Sequence, residues 1–463
     1  MIMGELSKTA LKTFENAGVE FGDYRAEERR STTARVANER LQALSTVIRK
    51  GFSVRAFHKG AWGYSSGTTM TPAKVQEAAE SAARIARANS AKKLPRSKLK
   101  GIKAVTKSAK PSFKIDPKDI GLDEKTGLAM TVCKAERIDP KIASTFAIYG
   151  DWDYSFEVAN TAGTNVSWRE LRARIGGQAV AAEGAKRDFA YDFHDGTGGY
   201  EIVKEVDPNE LGAKISKDAL ELLKAKQAPS GLMTVIADPD ISGLLAHEVM
   251  GHASEGDEIT KRRSFLTDIV GRRVGSPLVT MYDDGTFPGA HGSIPFDNEG
   301  TPSHKTNIID RGVYAGYMQS LETAGTLNAP LTGNGRAENY SRRIWVRMTN
   351  TYFAPGNDRY DELIKETKSG LLTHKAISGM EDPVGGGFQA VALMGYLVKN
   401  GEVGPAVRGM TLTGKALDIL KSVDMASREF ELTGGFCGKG EEDYVPVSSG
   451  GPYMRCKIIV GGG

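Results

Sequence analysis

The glycine content of the second half of the chain is the feature that most limits its fold. Glycine accounts for 54 of 463 residues, about 12% against a usual ~7%. The clusters lie at 385–387, at 432–443 and around 450, between runs that are typical of short strands. Glycine permits tight turns and close approach of a second backbone. The sequence therefore predicts many short strands, tight loops and a surface that contacts a ligand.

The first half of the chain mixes helices with strands. Apolar residues at helical spacing predict a helix over 4–17, and alternating runs over 32–67 predict an antiparallel meander. Thr71 and Pro72 begin a second, alanine-rich helix. A basic, proline-containing stretch over 94–114 is typical of a linker. We predict three domains: an N-terminal α/β domain (1–115), a middle domain (116–228) and a C-terminal metal-binding catalytic domain (229–463).

The composition excludes several classes of protein. With 40% hydrophobic and 25% charged residues the chain is typical of a globular protein, and no apolar run approaches the roughly 18 residues that span a membrane. The N-terminus lacks a signal-peptide pattern. Three cysteines without close pairing indicate a reducing compartment, and Cys133 and Cys456 are expected to pack in cores. We expect a cytoplasmic protein that has no membrane partner.

The charge pattern bears on nucleic-acid binding. A net charge of +4 is weak evidence for an anionic partner. Basic residues are concentrated between Arg84 and Lys118, where Asp116 is the only acidic residue. Regular spacing without interleaved aromatic residues favours a solvated helix end and linker over a nucleic-acid groove. We therefore expect no nucleic-acid partner, whereas salt-sensitive DNA binding that depends on Lys92 and Lys93 would indicate one.

The segment AHEVMGHASEGDE, residues 246–258, places a His-Glu pair five residues ahead of a second histidine. In a regular helix, side chains at i and i+5 lie ~140° apart, against ~40° for i and i+4. A regular helix therefore cannot direct both His247 and His252 at one cation. A wider π-helical turn, or a helix that ends just before His252, would bring them together, and Gly251 makes either less costly.

This spacing alone leaves a structural interpretation open. Two of the seven histidines would then happen to lie near a glutamate on a buried helix. The acidic residues that follow, Glu255, Asp257 and Glu258, are open to two interpretations as well. They would supply a third metal ligand, or they would form a solvated cluster at a helix end.

Longer stretches of the chain carry more information than this motif. GSIPFDNEGTPSHKTNIIDRGVYAGYMQS (292–320), LTGNGRAENYSRRIWVRMTNTYFAPG (331–356) and FCGKGEEDYVPVSSGGP (436–452) follow HEVMGHASEGDE in this order. Together they resemble the TldD/PmbA family of metallopeptidases. The resemblance covers essentially the whole chain and is most specific over 240–460. We predict an α+β fold, with an N-terminal mixed helix/sheet region and a C-terminal domain dominated by a large antiparallel, barrel-like sheet that carries the metal helix.

The resemblance implies a ligand set and a catalytic base. His247, His252 and Cys437 would bind the metal, and Glu248 would be the general base that activates a metal-bound water. A thiolate with two imidazoles leaves a fourth zinc position open, as a catalytic site requires. Zinc is the expected cofactor, although the same ligands also suit iron. The expected activity is zinc-dependent hydrolysis of short or unfolded polypeptides.

The resemblance also bears on further residues and on partners. His291, Arg347 and Asn350 lie in the matching stretches and are expected either to contact substrate or to support loops. The presence of all three ligands and the glutamate is typical of the active, metal-binding branch of the family. Members of that branch form homodimers or heterodimers with a metal-free family member around a narrow cavity. The competing interpretation is a non-catalytic subunit or binding module of a peptidase complex.

Overall fold

The computed structural model of the protein describes residues 3–92, 95–440 and 444–462, so Lys93 of the basic stretch lies outside the described residues. No helix within those ranges is long and apolar enough to span a membrane. A 3-10 turn covers Pro117–Asp119, and a π-helical segment covers Leu245–Gly251. The α-helices are α1 (Met3–Ala17), α2 (Pro72–Ser90), α3 (Leu122–Ala135), α4 (Glu201–Lys204), α5 (Pro208–Lys224), α6 (Pro239–Leu244), α7 (Gly256–Thr260), α8 (Leu321–Leu327), α9 (Tyr360–Lys365) and α10 (Ala416–Lys421).

The N-terminal half forms one seven-stranded sheet in the order β3-β2-β1-β5-β6-β4, and β7 also pairs with β6. All pairs are antiparallel except β4 with β6. Because β1 pairs with β5, the sheet continues from the first predicted domain into the second, and the three-domain division stays a prediction. The strands are β1 (Phe21–Ala37), β2 (Arg40–His58), β3 (Ala61–Gly67), β4 (Thr106–Ala109), β5 (Ile142–Asn160), β6 (Asn165–Glu183) and β7 (Lys186–Thr197).

The C-terminal half forms a twelve-stranded sheet and a two-stranded ribbon, β13 with β14. The strands are β8 (Lys226–Gln227), β9 (Gly231–Ala237), β10 (Met281–Asp284), β11 (Lys305–Asp310), β12 (Val313–Tyr314), β13 (Gly335–Arg336), β14 (Trp345–Val346), β15 (Asn350–Phe353), β16 (Ser369–Asp382), β17 (Gly387–Lys399), β18 (Glu402–Arg408), β19 (Met410–Lys415), β20 (Met425–Cys437) and β21 (Val445–Gly462).

Five strands of the large sheet close into a barrel. The ring runs β21-β9-β16-β17-β19 and returns to β21, because β19 pairs with both β17 and β21. Closure removes free edges from this part of the sheet. Most pairs of the large sheet are antiparallel, and three are parallel: β9 with β16, β15 with β21, and β8 with β18. The predicted α+β class and the barrel-like C-terminal sheet are confirmed.

Helices pack on the N-terminal sheet in two hydrophobic clusters, and one of these also includes Leu393 and Met394 of the C-terminal half. Helices α1 and α2 pack on the N-terminal sheet through side chains such as Phe14, which lies near Tyr24 and Phe52. Helices α3 and α5 cover another part of the same sheet in a second cluster. Cys133 lies in that second cluster and Cys456 in the barrel core, so both cysteines pack as predicted.

Helix α6 carries the chain from β9 into the His247 segment across the C-terminal core. The Asp238 side chain accepts a hydrogen bond from the Ile241 N–H, and Pro239 occupies the first turn, as is typical of a helix start. Gly243 then lies directly against strand β21, where an added Cβ would be 2.5 Å from the backbone nitrogen of Gly450. This close approach fixes the position of the helix relative to the barrel.

Gly243→Ala tests that packing. The added methyl group must displace backbone, so we expect the free energy of unfolding to fall by about 1–3 kcal/mol. The matched control is Gly127→Ala in α3, where an added Cβ meets nothing within 4 Å; it should be neutral or should stabilise the helix by up to about 1 kcal/mol. Thermal unfolding of both variants measures the difference, and equal midpoints would contradict the close packing of α6 on β21.

Candidate metal centre

The helix that carries the histidines is irregular at the point where the spacing requires it. Leu245–Gly251 forms a π-helical segment, and the His252 N–H donates to the carbonyl of His247, five residues earlier. An added Cβ at Gly251 would lie 2.2 Å from the Met348 sulfur, so a larger residue there would have to displace the buried Met348 side chain. The predicted widening of the helix near Gly251 is confirmed. It turns the two imidazoles towards each other.

Three side chains converge beside this segment. The ligand atoms of His247, His252 and Cys437 all lie within 4.8 Å of one another. Cys437 Sγ lies 3.4 Å from His252 Nε2, and the imidazole centroids are 5.2 Å apart at 86°. Zinc bond lengths of ~2.3 Å to sulfur and ~2.0 Å to nitrogen imply a sulfur–nitrogen separation of about 3.5 Å in a tetrahedral site. The donor set and its spacing therefore fit a zinc ion.

The C-terminal barrel delivers the cysteine to this point. Cys437 is the last residue of β20, and it pairs with Val445 at the start of β21. β21 also pairs with β9, which leads directly into α6 and the histidine segment. Cys437 and the two histidines are distant in the sequence. They meet because β20 and β9 both pair with β21.

The three candidate ligands perturb one another's charge. Burial would raise the pKa of the Cys437 thiol, but His252 and His247 outweigh burial and hold the pKa well below its usual range. Burial would lower the pKa of each histidine, but Cys437 outweighs it, so both pKa values are raised. The thiolate is the form that binds metal. Because imidazole binds a cation only when neutral, a metal bound at this centre would displace any proton from the two rings.

Each histidine has a hydrogen-bond partner on its Nδ1 atom. His247 Nδ1 lies 3.1 Å from the Thr351 hydroxyl, and His252 Nδ1 lies 3.4 Å from Glu255 Oε2. Such partners orient a metal-binding imidazole and leave its Nε2 free for the metal. The sequence had not pointed to Thr351, which lies in strand β15.

The acidic residues after His252 are buried and partly paired, so they are neither solvated nor part of the ligand set. Lys439 Nζ lies 2.6 Å from Glu255 Oε2 and 2.7 Å from Asp257 Oδ1. Burial would raise the pKa of Glu255, but Lys439 and His252 lower it to about 2. Glu258 pairs with Arg263, and its Oε1 also lies 3.6 Å from Lys439 Nζ. Lys439, two residues after Cys437, was not predicted as a site residue.

Glu248 lies on the open side of the centre. Its Oε2 is 3.9 Å from His252 Nε2, and both Glu248 and His247 line a cleft of about 760 Å³. Strand β16 closes in behind the side chain, since an added Cβ at Gly379 would be 2.6 Å from Glu248 Cγ. Burial raises the pKa of Glu248, His247 and His252 oppose that shift, and Glu381 adds to it.

The cleft separates the two sheets of the molecule. Residues of β7, β16 and β20 form its walls. β20 forms a ladder with β21. In addition, its residues 426–428 bond to the 356–358 segment, and the carbonyl of Gly434 in the cleft wall accepts a hydrogen bond from Arg174. Ala376 to Gly379 of β16 also face the cleft, beyond the end of the pairing of that strand with β9. The walls therefore offer backbone hydrogen-bonding groups to an extended chain.

The three polar residues predicted as substrate contacts are all buried, and none lines the cleft. Arg347 donates a hydrogen bond to the carbonyl of Cys437 and so supports the ligand-bearing strand. Asn350 accepts from the Gly292 N–H at 3.0 Å and supports the 284–293 loop. The His291 ring lies against Trp152 and Phe436. These contacts match the loop-supporting alternative, and contact with substrate stays a prediction.

The chain is similar to metallopeptidase family profiles and to proteins named metalloproteases. Family profiles described as PmbA/TldA metallopeptidase domain 1, central domain and C-terminal domain match residues 22–86, 115–223 and 230–462. A metalloprotease of Methanocaldococcus jannaschii is 34% identical over 94% of this chain and 96% of its own length. A protein of Saccharolobus solfataricus named zinc metalloprotease TldD homolog is 26% identical over 98% of this chain and 99% of its own length.

The fold is also found among solved structures. The crystal structure of TldE from Thermococcus kodakarensis has a TM-score of 0.78 at 20% identity, and the match covers 98% of this chain and 100% of that chain. At this identity the likeness shows a shared fold. The profile matches and the full-length relatives together show that this chain belongs to the TldD/PmbA family of metallopeptidases.

Proposed function

We propose that the protein is a zinc peptidase that hydrolyses short or unfolded polypeptides. The observation that carries the proposal is the convergence of His247, His252 and Cys437 beside Glu248, at the wall of an open cleft. Membership in a metallopeptidase family supports the reaction class. A relative that is named a zinc metalloprotease supports the choice of metal, and iron suits the same ligands.

The chain's own residues would divide the reaction between them. A bound zinc supplies Lewis acidity, which polarises a peptide carbonyl and activates water. Glu248 lies on the cleft side of the centre and would accept the proton of the attacking water as general base, then deliver it to the leaving amine. Thr351 and Glu255 would hold the two imidazoles in a fixed orientation throughout.

The shape of the cleft supports a polypeptide substrate without folded structure. A volume of about 760 Å³ between two sheets accommodates a short extended segment and excludes a folded domain. The cleft-lining residues 431–436 of β20 and 376–379 of β16 would bind substrate through backbone hydrogen bonds. Such pairing depends little on side chains, so we infer broad specificity.

Assembly and location are further parts of the proposal. We infer that the active form is a homodimer or a heterodimer with a metal-free family member. All three cysteines are free, which is compatible with a reducing cytoplasmic environment. A chain that shows no peptidase activity with any metal until a partner is added would favour the alternative, a non-catalytic subunit of a peptidase complex.

Glu248→Gln tests the proposed base. Loss of the carboxylate should lower kcat/KM towards an unfolded, fluorescence-quenched peptide by about 10²–10⁴-fold, while the metal content of the purified protein stays at the wild-type level. Glu402→Gln is the control and should keep wild-type activity, because Glu402 is an exposed carboxylate of β18 that does not line the cleft. If Glu248→Gln cleaves the peptide as fast as the wild type, Glu248 is not the base.

Cys437→Ser tests the proposed ligand set. The wild-type protein should hold about one zinc per chain, as a mononuclear site does, and the variant should lose most of it because a neutral hydroxyl is a poor zinc ligand. Cys456→Ser, in the same half of the chain but away from the centre, should keep its metal. Inductively coupled plasma mass spectrometry of both variants provides the measurement. Equal zinc content in the two would contradict the assignment of Cys437.

A further inference from the structure

A buried ion pair joins the two segments that carry the proposed metal ligands. Lys439 follows the end of β20 by two residues, and Glu255 immediately precedes α7. The lysine Nζ lies 2.6 Å from Glu255 Oε2 and 3.3 Å from the carbonyl oxygen of Val346. The Glu255–Lys439 ion pair therefore connects the Cys437 segment to the His252 segment.

The same carboxylate oxygen serves both contacts. Glu255 Oε2 lies 2.6 Å from the ammonium of Lys439 and 3.4 Å from Nδ1 of His252. A change in the position of Lys439 therefore moves the group that orients His252. The backbone carbonyl of Cys437 is held separately by Arg347.

Burial makes the loss of either member of this ion pair costly in free energy. The Glu255 side chain is 1% exposed and that of Lys439 is 10% exposed. Removing one member of a buried pair leaves an uncompensated charge, which is strongly unfavourable. With the end of β20 on the start of α7, Lys439 Nζ lies 2.6 Å from Glu255 Oε2, 2.7 Å from Asp257 Oδ1 and 3.6 Å from Glu258 Oε1. In that arrangement Cys437 Sγ is 3.4 Å from His252 Nε2.

We propose that Glu255 and Lys439 are positioning residues that assemble the ligand set before the metal binds. This inference rests on the proposed metal centre and adds residues outside the ligand set. The pair holds the cysteine and the second histidine at ligand distance in the metal-free protein. Metal binding then needs little rearrangement, so the affinity for zinc is higher than that of three tethered but mobile ligands.

Zinc affinity is the first test, measured by competition with a chromophoric chelator. Glu255→Gln and Lys439→Met should each weaken zinc binding about 10- to 100-fold, as loss of such outer contacts does. Lys439→Arg, which keeps the charge, should retain most of the affinity. Asp257→Asn is the matched control: Asp257 contacts Lys439, and no hydrogen bond joins it to His252 among the described residues, so its zinc affinity should stay within about threefold of wild type.

Reactivity of the cysteine in the metal-free protein is the second test. Cys437 is 6% exposed, so its alkylation, followed by mass spectrometry of the peptide, should be slow in the wild type. Lys439→Met should accelerate that alkylation at least about tenfold, because the end of β20 opens more often, whereas Lys125→Met, which breaks a buried ion pair with Asp151 in the N-terminal half, should leave the rate unchanged. Circular dichroism identifies a variant that fails to fold; if Lys439→Met does so, Glu255→Gln, which breaks the same ion pair, replaces it.

The outcomes separate this inference from the proposed function. If Lys439→Met and Glu255→Gln lower only the unfolding temperature, with unchanged zinc affinity and unchanged alkylation of Cys437, the pair is a structural brace and the inference is wrong. If the wild type binds no zinc at all, the proposed function fails. The alkylation rates of the metal-free variants still decide whether the pair positions Cys437.

Discussion

The hydrogen bond from the His252 N–H to the His247 carbonyl is the interaction on which the rest of the site depends. It replaces the i→i+4 bond of a regular helix with an i→i+5 bond, and so turns two side chains that would diverge by ~140° towards one point. Packing favours glycine at position 251, since the Met348 sulfur occupies the space that a side chain there would take. The wide backbone turn and the packing around Gly251 are therefore compatible with each other.

The barrel brings the third candidate ligand, Cys437, to this irregular helix. Strand β21 borders both β9, which leads into the histidine helix, and β20, which ends in Cys437. The glycines of this region allow the close contacts that such an arrangement needs, as at Gly243 against Gly450. Beyond the centre, the N-terminal sheet supplies the opposite wall of the cleft through β7. Both halves of the chain therefore contribute to the proposed peptide-binding surface.

Sequence reasoning recovered the features that are local or that belong to long motifs. The spacing of His247 and His252 alone required an irregular helix, and the structure contains one. Cys437 came only from the family resemblance, because nothing in its local pattern links it to residues 185 positions earlier. Thr351 and Lys439 were missed for the same reason: they meet their partners across 104 and 184 residues, and only the strand register brings them there.

Anomalous scattering at the zinc absorption edge, from crystals of the protein purified without added metal, tests the central claim most directly. We predict one strong anomalous-difference peak about 2.3 Å from Cys437 Sγ and about 2.1 Å from one ring nitrogen each of His247 and His252. The peak should disappear in data collected below the edge. No zinc peak between these three side chains, or zinc bound only at other residues, would contradict the account.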